Sequence, residues 1–191
     1  MTGFATAFPE EFIAKQLQLL KTVVPTVQKI AVLVNSTNQI HQREQVKFPE
    51  TARRLAIELF PVEASKVEQL AGAFETAHAK GANAIDVLGD PLFGSVGQRV
   101  VDLANKYRLP SMYLFRAAVV QGGLMSYGPN QLEVWRGGAD YVDKILKGAK
   151  PGELPVAQAT RFDLTINLKT AEALGLTVPP DVLAQAAELI E

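Results

Sequence analysis

Ile30-Ala31-Val32-Leu33-Val34, closed by Asn35-Ser36-Thr37-Asn38, is an apolar run rich in β-branched residues that stops abruptly at turn-formers. Five apolar residues without alternation leave no side for water, so the run reads as a strand buried on both faces of a parallel sheet. Before it, residues 9–23 have helical spacing: Pro9 suits a first turn, Glu10 and Glu11 favour the amino end, and Ile13, Leu17 and Leu20 share one face. After it, Pro49 opens a helix through Ala52, Leu55 and Ala56, and Ile57-Glu58-Leu59-Phe60-Pro61-Val62 forms a second strand whose Pro61 places its end near a sheet edge. Val67, Leu70, Ala71, Phe74 and Ala77 repeat at helical spacing, with Gly81 where a C-cap belongs. The third strand, Ala84-Ile85-Asp86-Val87-Leu88, ends in Gly89-Asp90-Pro91; Val96, Val100, Leu103, Ala104 and Tyr107 make the next helical stripe. Pro110 precedes a fourth strand, Ser111-Met112-Tyr113-Leu114-Phe115. Four strand-then-helix units in a row imply right-handed crossovers and an α/β, three-layer Rossmann-like lobe with a mainly parallel sheet.

After Gly122-Gly123 a fifth strand, Leu124-Met125-Ser126-Tyr127, ends in Gly128-Pro129-Asn130, and the pattern changes. A longer helix, residues 131–146, aligns Leu132, Trp135, Ala139, Val142 and Ile145, and this face is apolar enough to need a partner. Residues 150–155 are a turn-rich linker. Phe162-Asp163-Leu164-Thr165-Ile166-Asn167 alternates like a half-exposed strand, residues 169–173 read as a short helix, and Val182, Leu183, Ala186, Leu189 and Ile190 predict a terminal helix.

The 191 residues, 48% hydrophobic and 20% charged, suit a globular chain rather than a disordered one. A net charge of -1 offers phosphates no positive field, which argues against nucleic-acid and anionic-membrane partners. With no Cys there are no disulfides, thiolate nucleophiles or Cys-based metal sites. His41 lies in a polar stretch and His78 beside an apolar stripe; both are expected as solvated or rim side chains, and no metal site is predicted. No apolar run has the length of a bilayer span, and the first eleven residues contain no export signal, so on its own terms the chain is expected in the cytoplasm.

Ligands of open parallel sheets sit beyond the carboxyl ends of the strands. The candidates there are Asn35, Ser36, Thr37 and Asn38, then Asp90, Arg116 and Asn130, a set suited to a zwitterion with Arg116 on its carboxylate and Asp90 on its ammonium group. Turn formation alone accounts for Asn35 to Asn38 and Gly89-Asp90-Pro91 equally well. Gly94-Ser95-Val96-Gly97 lacks nucleophile-elbow spacing, no phosphate loop or Gly-x-Gly-x-x-Gly is present, and Glu10-Glu11 stands far from the strand ends. No catalytic set is predicted. Trp135 on its apolar stripe is expected in a core or interface rather than as a ligand platform.

Phe8-Pro9-Glu10-Glu11, Val32-Leu33-Val34-Asn35, Val87-Leu88-Gly89-Asp90-Pro91-Leu92-Phe93 and Arg108-Leu109-Pro110 follow one another in a familiar order. So do the segments at residues 122–130, 141–151, 154–156 and 167–176. Together they resemble the ABC-transporter substrate-binding protein-like family with the type I periplasmic-binding fold, some members of which are linked to aromatic amino acids. The resemblance implies two lobes joined at a hinge, of which this chain holds the C-terminal one and lacks the N-terminal one. Residues 1–130 would form the ligand-binding lobe, 131–158 a helix and linker belonging to the other lobe, and 159–191 the return strand and C-terminal helices.

By the same resemblance, the loops after Asn35, Asp90 and Phe115 face the cleft, and Thr2, Gly3, Phe4, Gly128 and Thr160 fall at the hinge. The implied role is the substrate-binding component of an ABC importer, holding a small solute such as an amino acid, without cofactor or catalysis, and handing it to a permease. The implied location is periplasmic or membrane-anchored outside the cytoplasm. The alternative is an orphan lobe without a transport role, whose exposed face is covered in a homodimer.

Overall fold

The computed structural model describes residues 2–5 and 12–191. In chain order the elements are β1 (Gly3–Ala5), α1 (Phe12–Val23), β2 (Lys29–Val34), α2 (Gln39–Gln45), α3 (Phe48–Leu55), β3 (Glu58–Glu63), α4 (Leu70–Ala79) and β4 (Ala84–Val87). There follow α5 (Pro91–Ser95), α6 (Gly97–Lys106), β5 (Ser111–Tyr113), α7 (Arg116–Val120), β6 (Met125–Pro129) and α8 (Gln131–Leu146). The chain ends through β7 (Val156–Gln158), β8 (Phe162–Asn167), α9 (Leu168–Ala173), α10 (Pro180–Leu183) and β9 (Glu188–Ile190). Residues 9–11, expected in the first helix, and the Phe8-Pro9-Glu10-Glu11 motif lie outside the described residues.

Seven strands form one sheet in the order β3-β2-β4-β5-β6-β8-β9, parallel throughout except where β6 meets β8. β2 is interior and buried from Ile30 to Val34, while β3 is the edge strand that Pro61 predicts, with Pro61 itself exposed. Leu17, Leu20 and Val23 of α1 cover one face, packing with Ile30, Ala84, Met112, Met125 and Ile166. Phe74 of α4 and Val100 and Val101 of α6 cover the other, against Ala31, Ile85, Val87 and Tyr113. The three-layer α/β lobe is thus the observed architecture.

Gly81 follows α4 at φ +76°, a conformation that suits glycine and terminates the helix where expected. Gly72, inside α4, has nothing within 4 Å of where a Cβ would stand. Gly72→Ala should therefore stabilise the protein by about 0.5–1 kcal/mol in urea denaturation, because it restricts the unfolded chain without a clash.

The predicted terminal helix is corrected. Only Pro180–Leu183 is helical, and the Ala187 N–H donates to the Leu164 carbonyl at 2.8 Å. Glu188–Ile190 then pairs in parallel with Thr165–Asn167, giving β8 a second neighbour. For so short a segment, apolar spacing fits helix and strand alike, and the open backbone edge of β8 decides. The short helices α2, α5 and α7 and the parallel pair β1–β7 are additional to expectation; that pair is a separate two-stranded sheet beside α8.

Candidate functional site

The carboxyl ends of β2 and β4 converge on a polar cluster. Asp90 Oδ1 accepts from the Leu92 N–H at 2.8 Å and so caps α5; Oδ2 accepts from Asn38 Nδ2 at 2.8 Å. Asn35 Nδ2 reaches both carboxylate oxygens at 3.2 and 3.3 Å. Asn35 Oδ1 holds the Thr37 N–H and hydroxyl at 3.0 and 2.7 Å, and Asn38 Oδ1 caps α2 through the Ile40 N–H. Ser36 joins through its carbonyl, which accepts from Gln42 Nε2 at 2.7 Å. Asn35, Ser36, Thr37, Asn38 and Asp90 are therefore one assembly, stitched across two loops 52–55 residues apart in sequence.

His41, expected at a solvated rim, is instead buried, 2% exposed. Its Nδ1 accepts from the Asn35 N–H at 2.9 Å, which leaves the proton on Nε2, 3.1 Å from the Gly89 carbonyl. Burial lowers its pKa below the ordinary 6.5, while the Gly89 carbonyl, Asp90 and Glu44 pull the other way. The neutral ring ties the two loops together, so its contribution is complete above pH 6.5 and is lost as acidification reaches the lowered folded value. His41→Ala should cost about 3 kcal/mol at pH 8, two buried links being lost. In denaturation series the difference from wild type should shrink toward pH 5.

Arg116 stands apart. Its Nε and Nη2 donate to the two carboxylate oxygens of Glu188, a pairing that raises the guanidinium pKa and lowers that of Glu188. Arg116 and Asp90 border different, adjoining cavities. Asn130 caps α8 through the Glu133 N–H at 2.9 Å and donates from Nδ2 to Asp163 at 2.5 Å.

Between the strand ends and α8 runs a cleft of about 570 Å³, bordered by Asn38, Ile40, Asp90, Phe115, Trp135 and Phe162 among others. Trp135 is not in a core: it is 76% exposed and lies on the wall of this cleft. Phe162 is held by ring contacts to Phe12 and Tyr127 at 5.4 and 5.9 Å. Beneath Phe115 a smaller pocket of about 100 Å³ reaches toward Phe93, Val100 and Tyr113. A third cavity, about 330 Å³ and polar, lies on the β6–β8 side and includes Arg116, Asn130, Asp163 and Glu188.

Gln16, which the apolar reading of α1 passed over, is 2% exposed and donates to the carbonyls of Tyr127 at 2.8 Å and Tyr113 at 3.4 Å. Its place in line with Phe12 and Leu20 at i, i+4 spacing was the available signal. At the expected hinge, β6 ends at Pro129 and passes directly into α8, and residues 159–161 lead back from β7 to β8. Thr2 donates to the Pro155 carbonyl at 3.0 Å, Gly3 and Phe4 pair with Val156 and Ala157, and Thr160 is exposed. Arg161 bridges Glu133 of α8 and Asp163 of β8 at 3.4 and 3.0 Å. Among the described residues no group of three or more His, Asp or Glu side chains is placed to hold a metal ion, and no helix is long and apolar enough to cross a membrane.

An α/β lobe that presents a broad cleft at the carboxyl ends of its strands offers a place where small ligands bind. The family model described as ABC transporter substrate binding protein matches residues 1–190, and the chain belongs to that family, one of solute-binding proteins rather than enzymes. It is 26% identical over 168 residues to the tyrosine-binding protein of Clostridioides difficile, covering 86% of this chain and 47% of that one. A solved structure of a conserved domain protein from Vibrio cholerae matches with TM-score 0.87 and 29% identity, over 98% of this chain and 62% of its own. A Streptococcus pneumoniae ABC domain in complex with L-Trp matches with TM-score 0.83 and 26% identity, over 94% and 62%. The chain thus spans about half to three fifths of the length of these relatives.

Proposed function

We propose that this chain supplies the C-terminal lobe and hinge of a receptor that binds an amino acid with a large apolar, preferably aromatic, side chain and delivers it to an importer's permease outside the cytoplasm. The observation that carries this reading is the composition of the wide cleft. Phe115, Trp135, Phe162, Ile40 and Leu114 offer apolar surface, while Asn38 and Asp90 supply a polar border. The two relatives whose names specify tyrosine and L-Trp support the same ligand class.

In this reading residues 1–130 and 159–191 build the lobe, and residues 131–158 belong with a second lobe. Two observations support the division: no residue of α8 is buried, and β1 and β7 form their own sheet. Leu132, Val142 and Leu146 of α8, all exposed, would pack in that lobe. Gly128 and Thr160 lie in crossing segments about which such lobes close, with Thr2, Gly3 and Phe4 on the third.

Calorimetric titration tests the ligand class. L-Trp, L-Tyr and L-Phe are expected to give saturable heats, and arabinose, uridine and citrate none. Trp135→Ala should weaken aromatic binding roughly tenfold by removing one wall. Binding of a sugar or nucleoside in place of amino acids would overturn the proposal.

A further inference from the structure

The polar cavity beside the cleft contains two side chains that nothing so far explains. Ser126 and Thr165 face each other across the β6–β8 pair and are 2% and 3% exposed, yet both line this cavity. Neither hydroxyl makes a hydrogen bond to any described residue, and both open onto the cavity, where a bound group can supply the partner. Above them stand both signs of charge. Arg116 holds Glu188 through Nε and Nη2, with Nη1 unpartnered among the described residues, and Asp163 lies on the same row of the sheet as Gly128. The cavity shares Leu114, Pro129 and Gln131 with the apolar cleft, so the two are neighbouring compartments. Asp163 accepts from Asn130 and Arg161 and Glu188 from Arg116, while Asp90 is the most fully engaged of the three, accepting from Asn35, Asn38 and the Leu92 N–H.

We infer that this cavity takes the zwitterionic head of the amino acid, with the Ser126 and Thr165 hydroxyls and Arg116 Nη1 on its carboxylate and Glu188 or Asp163 on its ammonium group, while the apolar body lies in the cleft against Trp135. The inference rests on the amino-acid reading and deepens it. A simple anion fits less well, because Asp163 and Glu188 oppose the charge of Arg116 and Arg161 in the same cavity. A neutral apolar ligand leaves the two hydroxyls unpaired.

The test is an NMR titration of the full chain, sensitive to weak binding, with L-Trp, tryptamine and indole-3-propionate as probes. L-Trp is expected to shift the Ser126, Thr165 and Gly128 amides together with the Trp135 indole, and each analogue lacking one charge should bind at least roughly tenfold more weakly. The double variant Ser126→Ala, Thr165→Val changes little volume and should weaken L-Trp roughly tenfold while leaving tryptamine nearly unchanged. If L-Trp moves Trp135 but leaves Ser126 and Thr165 still, or the double variant binds it normally, the cavity holds water only and the orientation is overturned while the amino-acid reading stands. If L-Trp moves neither region, both fall.

Discussion

Asp86→Val should make the protein more stable above pH 7, by about 4 kcal/mol, and should abolish much of the pH dependence of its stability between pH 4 and 7. Asp86 sits mid-strand in β4, paired with Val32 and Met112, fully buried, and neither carboxylate oxygen has a hydrogen-bond partner among the described residues. Burial alone pushes its pKa from the ordinary 3.8 up to about 7. The sign follows directly. Below pH 3.8 the carboxyl is protonated whether the chain is folded or not, and its full contribution to stability is present. Between pH 3.8 and 7 the unfolded chain loses the proton while the folded chain retains it, so stability falls by about 1.4 kcal/mol per pH unit. Above pH 7 both states are ionised and the penalty is constant. Urea denaturation of wild type and variant at pH 4, 5.5 and 8 checks this; a difference that stays constant across the series would mean that Asp86 is ionised throughout and has a compensating partner.

Gly128→Ala, near the end of β6, should be strongly destabilising. A Cβ on Gly128 would stand 1.9 Å from the Leu114 carbonyl oxygen and 3.0 Å from its carbon, both backbone atoms that no rotamer change removes. The chain after β5 and strand β6 would have to separate, costing about 3 kcal/mol and lowering the melting temperature by about 6–12 °C. Gly94→Ala is the control, since nothing lies within 4 Å of a Cβ there. Because Gly128 also lines the polar cavity, its variant should lose ligand affinity along with stability. An unchanged melting temperature would show that the close approach of Leu114 is not required.

The parallel sheet was legible because its strands are apolar on both faces: β2 matches Ile30-Ala31-Val32-Leu33-Val34 within one residue, and α8 and β8 start and end at the expected residues. The edge position of β3 was legible from Pro61. The end of the chain was not, because the choice of Glu188–Ile190 between helix and strand depends on the free edge of β8, which no local pattern reveals. The candidate site divides in the same way. Asn35, Asn38 and Asp90 were singled out because they follow strand ends, but the hydrogen bonds that join them depend on β2 and β4 being neighbours. The burial of His41, Ser126 and Thr165 was not legible, for a common reason. A polar side chain in a polar stretch or an alternating strand looks solvated until tertiary contacts enclose it.

We propose that the cleft beside Trp135 binds an aromatic amino acid. Trp135 is the only tryptophan in the chain, so its fluorescence, excited where tyrosine does not absorb, reports on that cleft alone. Titration with L-Tyr and L-Phe is predicted to produce a saturable change in its emission, and titration with arabinose none. Emission unchanged by either amino acid up to millimolar concentrations, or changed equally by the sugar, would mean that this cleft is not an aromatic amino-acid site.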